Sequence, residues 1–193
     1  MTITLEEAGT TRTPVLRRKR IGEEFVGALV RTTQRDVLKR DDATGTDRPV
    51  IKANGKPRQE LVVTLVTISS TMAAGLGEEV AVPEPGDIVR SILKGGGFGQ
   101  WIEANGLLKP RQVGDIVTLT SEWGQVYSAA GDPTGDKLTT QAQLDAVPRE
   151  RSLGVYGSVA IRRATPAETE WVTAAETAYH DAQPVVVLDD DSF

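Results

Sequence analysis

The residues of this chain best suited to chemistry are cations and aromatic rings in its body and a run of carboxylates at its end. The sequence closes on Asp189-Asp190-Asp191-Ser192-Phe193. Three carboxylates followed by a ring suit a tethered hook: a basic rim would take the charges and an apolar pocket the ring. The cations Arg31, Arg35, Lys52, Lys56, Arg58, Arg90, Lys94 and Arg162 lie upstream, with Trp123, Tyr127 and Tyr156 among them. Cations that follow a phosphate backbone and rings that stack on bases are what binding a single nucleic-acid strand requires. The bland alternatives are plain. Large rings also bury well, and Phe25 and Trp101 read as core. Isolated cations are usually just solvated, and an acidic end can serve solubility alone.

Charge distribution favours the first reading. The net charge is −5, which by itself argues against a polyanionic partner. Residues 164–193, however, hold seven acids and no Lys or Arg, while residues 12–58 hold 13 basic against 6 acidic residues, a local +7. A basic body carries a wholly acidic tail, and the whole-chain value conceals this polarity. Arg17-Arg18-Lys19-Arg20 forms a basic block in residues 1–20, which read as an arm.

The elements that must position these residues read as strands. Five segments, at 24–35, 59–69, 87–94, 115–123 and 153–163, carry β-branched and apolar residues between turn signals. A short helix is expected over 98–106, ending at Asn105-Gly106. A last helix is expected over 166–179, with Thr165 as cap, Pro166 in the first turn, and a core-facing stripe of Trp171, Ala174, Ala175, Ala178 and Tyr179. Alternation in the fifth strand puts Val155, Val159 and Ile161 on a core face. It puts Tyr156 and Arg162 together on the other. The long connections 36–58, 70–86 and 127–152 exceed ordinary hairpin loops. The fold class expected is all-β: a five-stranded OB-fold barrel with a short helix between strands 3 and 4, then a C-terminal helix and acidic tail. The division is an arm (1–20), an OB-fold domain (21–164), a helix (165–181) and a tail (182–193).

Catalytic readings fail on residue types. There is no cysteine, and the lone His180 has no second His or Cys to share a metal. Gly95-Gly96-Gly97 lacks the spacing and ending of a phosphate loop. Asp41 to Asp47 lacks the late Glu of a calcium loop. No run of about 18 apolar residues crosses a membrane. Catalytic residues, metal and cofactors are therefore expected to be none.

Ile21-Gly22 entering the first strand, and Gly55-Lys56-Pro57-Arg58-Gln59-Glu60-Leu61-Val62-Val63-Thr64 entering the second, resemble an OB-fold family of actinobacterial viruses usually taken to be single-stranded DNA-binding proteins. The resemblance covers roughly residues 20–165 and departs in the third-to-fourth strand region and the long loops. The ending is similar to the acidic tip of bacterial and phage single-stranded DNA-binding proteins, commonly Asp-Asp-Asp-x-Pro-Phe, but lacks the proline and one residue of spacing. The resemblance implies a phage protein of the host cytoplasm, active in DNA replication or recombination. It also implies enzymes recruited through Asp189, Asp190, Asp191 and Phe193. Self-association is expected, since one OB domain covers little of a strand. The alternative expectation is a virion structural or decoration protein built on a β-barrel.

Overall fold

The computed structural model describes residues 13–41, 44–52, 54–94, 97, 99–101, 103, 114–129 and 131–181. It is mostly β. The first three expected strands form as β2 (Glu24–Asp36), β5 (Gln59–Ser70) and β8 (Ile88–Lys94), antiparallel neighbours in that order. β5 is rich in Val, Leu and Thr and is buried on both faces over most of its length, more than an antiparallel strand requires.

The fourth and fifth strands each break in two. The fourth becomes β9 (Ile116–Thr120) and β10 (Trp123–Tyr127); the fifth becomes β12 (Ser152–Tyr156) and β13 (Val159–Arg162). The breaks lie side by side and for one steric reason. A Cβ on Gly157 would sit 1.9 Å from the carbonyl oxygen of Thr120. Around that waist the Thr120 and Ser158 hydroxyls share a hydrogen bond of 2.7 Å, and the Glu122 N–H donates to the Tyr156 carbonyl.

Below the waist β13 and β9 join the main sheet, whose order is β13-β9-β2-β5-β8-β1-β6-β7 with β1 (Val15–Arg17), β6 (Ala73–Leu76) and β7 (Glu79–Ala81). Above it, β10 and β12 form a second sheet with β11 (Pro133–Leu138), order β11-β10-β12. Helix α1 (Gln141–Asp145) packs Leu144 onto Gly124 of β10 and is held by a Thr140–Gln143 capping box.

No closed barrel forms among the described residues. Closure would pair the outer edge of β8 with β13, but β1 lies along that edge, in parallel register at Val15 and Arg90. The segment read as a free arm therefore supplies a strand. Its Arg17 donates to the Gly77 carbonyl and Arg18 to the Ser158 carbonyl at 3.5 Å. Burial pulls the Arg18 guanidinium below its usual value, against the attraction of Glu122. The long connections are folded too. The first holds a ribbon of β3 (Leu38–Arg40) and β4 (Asp47–Pro49), the second the β6–β7 hairpin, and the third β11 and α1.

The principal core lies on one face of the main sheet and includes Phe25, Leu29, Leu61, Val63, Leu65, Val89, Leu93, Val117, Leu119 and Val159, with Ile161 against it. Residues 97, 99–101 and 103 are helical, and Trp101 enters this core with 1 % of its surface exposed. Val159 and Ile161 thus occupy the side expected of them; Val155 is half-buried outside this core.

A smaller core of Ala28, Ile116 and Val172 lies against helix α2 (Pro166–Asp181). Thr165 and Glu168 close its first turn reciprocally: the Thr165 N–H donates to Oε2 at 2.8 Å and the Glu168 N–H to Oγ1 at 3.4 Å. The packing residue differs from the expected stripe. Val172 is buried, whereas Trp171 and Ala174 are exposed. Among the described side chains of α2, the β-branched Val172 is the buried one. Ala175, Ala178 and Tyr179 lie outside the described side chains.

Candidate nucleic-acid interface

Register places four expected cations on one face of the main sheet. Arg31, Thr33 and Arg35 of β2 stand opposite Thr64, Val62 and Glu60 of β5. Those in turn stand opposite Arg90, Ile92 and Lys94 of β8. Directly opposed residues share a face, so three rows of three form with a buried middle, and the two outer rows are cationic at both sides. This is the face opposite the principal core. Its centre has no hollow, since Val62 and Thr64 are buried.

The rows differ electrostatically. In one, Glu60 receives Arg35 at 2.8 Å and Lys94 at 3.0 Å. Burial works to raise that carboxyl, but the hydrogen bonds and charges of Lys94 and Arg35 prevail and hold it below the ordinary glutamate value. Two cations against one anion leave a net positive row of fixed geometry. In another, Arg90 donates through Nη2 to the Thr13 carbonyl at 3.1 Å. Arg31, across from it, is exposed and makes no ion pair with any described residue.

The β3–β4 ribbon extends this charge beyond the end of β2. Lys39 pairs across to Arg48 on one face of the ribbon, while Leu38–Pro49 and the oppositely charged Arg40–Asp47 pair share the other, so the first face is the cationic one. Lys52, Lys56 and Arg58 follow, all exposed. Arg48 is partly neutralised by Asp41 at 3.3 Å. Leu38 and Ile51 are 55 % and 57 % exposed, an unusual state for large aliphatic side chains on a charged ribbon.

The aromatic residues converge on the smaller sheet. Trp123 and Tyr156 are cross-strand partners whose rings stack at 4.6 Å with a 26° tilt. Tyr127 joins edge-on, its hydroxyl 2.7 Å from that of Tyr156. Gly154 makes this possible, because a Cβ there would lie 2.5 Å from the Tyr156 hydroxyl. Lys137 of β11 places its ammonium 4.2 Å from the centre of the Trp123 ring. A stacked ring and an ammonium this close cannot share one side, so both faces of Trp123 are covered. Trp123 is thus a support, and all three rings are half-buried. Burial, then the hydrogen bond shared with Tyr127, push the Tyr156 hydroxyl up to about 12. It stays neutral near pH 7 and does not repel phosphate.

Arg162 stands apart from this group. The break at Gly157 ends the alternation that would have set it beside Tyr156. Its guanidinium instead forks onto Glu168, both contacts at 2.7 Å, and ties β13 to α2. Asp189, Asp190, Asp191 and Phe193 lie outside the described residues. Lys39, Arg40, Arg48 and Lys137 escaped sequence reasoning. The first three carried a signal, the alternation of charge over 38–58. Lys137 carried none, because its contact with Trp123 arises only when β10 and β11 pair.

Among the described residues no cluster of His, Cys, Asp or Glu could hold a metal ion, and no helix is long and apolar enough to cross a membrane. Comparison with family models, curated proteins and solved structures finds no match, so the reading of the site rests on its own chemistry.

Proposed function

We propose that this chain is a non-enzymatic, phage-encoded protein of the host cytoplasm that binds single-stranded DNA with little sequence preference. In this reading it serves replication or recombination, and its acidic tip recruits partner enzymes. The observation that carries the proposal is the three-row sheet face with Arg31, Arg35, Arg90 and Lys94 at its sides, continued by the cationic ribbon. A strand's phosphates need such a track, and the Tyr127–Tyr156 pair offers ring surface for bases. The scaffold supports an OB-like reading. The five principal strands run 5-4-1-2-3 across the sheet, which becomes a barrel if its ends, third and fifth, are brought together. In OB-folds the second and third strands and the connections after strands 1 and 4 contact oligonucleotides. Here those places hold the cationic rows, the ribbon and the aromatic sheet.

The test is a fluorescence titration with oligo-dT at several salt concentrations. Affinity should fall on a log–log plot with slope of about −0.7 per phosphate contact, and duplex of the same length should bind more weakly. Equal affinity for duplex and single strand, or no binding at low salt, overturns the proposal.

A further inference from the structure

On the side of β10 away from the aromatic cluster, α1 and the turn after it leave a groove of about 420 Å³ against β10 and β11. Val126, Ala146, Val147 and Pro148 form its apolar part, Thr134, Gly135 and Gln143 its more polar part, and Arg151 stands at its rim. Arg151 is exposed and makes no ion pair with any described residue; nor does its neighbour Arg149. A groove with apolar walls and an exposed arginine at its rim suits an acidic peptide that carries a large apolar side chain. The chain carries such a peptide in Asp189-Asp190-Asp191-Ser192-Phe193.

We propose that this groove is the docking site of the chain's own C-terminal tip. Phe193 enters between Val147 and Val126, and the carboxylates lie toward Arg151 and Arg149. The rival seat, the cationic sheet face, offers charge but no slot for a ring, because Val62 and Thr64 fill its centre. The tether permits the docking. Twelve residues follow α2, enough to span about 40 Å when extended, and a folded body of about 160 residues is about 40 Å across. The site does not depend on DNA binding. It implies that a recruited enzyme competes with the groove for the tip.

The full chain with a benzophenone amino acid in place of Phe193 tests this. Irradiation should cross-link the tip within one chain to peptides covering 143–151 and 126–135. Arg151→Glu should cut that yield by about fivefold, as reversal of an exposed charge pair does, while the exposed site leaves folding unchanged. Cross-links to the Arg31, Arg90 or ribbon peptides, cross-links joining two copies, or a yield indifferent to Arg151→Glu would each overturn the proposal.

Discussion

Tyr156 is held by four neighbours at once: the Trp123 ring, the Tyr127 hydroxyl, the empty space above Gly154, and the bend at Gly157. If it stacks on a base, Tyr156→Ala should weaken oligo-dT binding by about 1–3 kcal/mol. Tyr156→Phe should keep most of that affinity. It loses only the hydroxyl bond to Tyr127, about 1 kcal/mol of stability. Paired titrations and denaturant melts of the two variants separate these effects, and equal binding by both would remove the ring from the interface. The arginines divide differently. Arg31→Ala should reduce the salt slope by about one phosphate contact. Arg162→Ala should leave the slope unchanged, because its guanidinium is committed to Glu168; a reduced slope for Arg162→Ala would return it to the DNA track.

At the scale of elements, α2 depends on a titratable cap. The hydrogen bonds from Arg162, and then from the Thr165 N–H, lower the Glu168 carboxyl to about 2. An unfolded glutamate titrates near about 4.3. A folded pKa below the unfolded one stabilises above the unfolded value and is lost as pH falls through the folded one. Docking of α2 should therefore loosen between about pH 4.5 and pH 2. Amide NMR signals of 166–174 should report it, and Glu168→Gln should flatten the dependence in that window. Persistence of the transition in Glu168→Gln would assign it to another group.

The same scale explains why the connections were misread. Residues 36–58 carry no long apolar run, so they resemble an irregular loop. Yet Lys39 with Arg48 and Leu38 with Pro49 alternate across a ribbon whose backbone continues the pairing of β2. The register of β2 against β5 supplies the template.

The whole molecule is electrically polar, and the tether keeps the acidic end at high effective concentration near the basic body. Changing Asp189, Asp190 and Asp191 to Asn should raise oligo-dT affinity several-fold in low salt, with the gain vanishing as the Debye length shrinks below about 10 Å. A gain that persists in high salt would point to a contact other than charge.

The sequence by itself determined the β character, the three central strands, the capped last helix, the core places of Phe25, Trp101, Val159 and Ile161, and the polarity of charge. Each of these is local. Strand periodicity, a cap with its partner three residues on, and a count of charges need no knowledge of distant neighbours. Tertiary structure decided the rest. It gathered Arg31, Arg35, Arg90 and Lys94 into rows through strand register. It took part of the expected arm as β1 along the outer edge of β8 and thereby left the sheet unclosed among the described residues. It also separated Tyr156 from Arg162 at the Gly157 bend and set Lys137 over Trp123. Alternation along a strand holds only while the strand is unbroken, and here the carbonyl of Thr120, far earlier in the chain, comes too close to Gly157 for a side chain to fit.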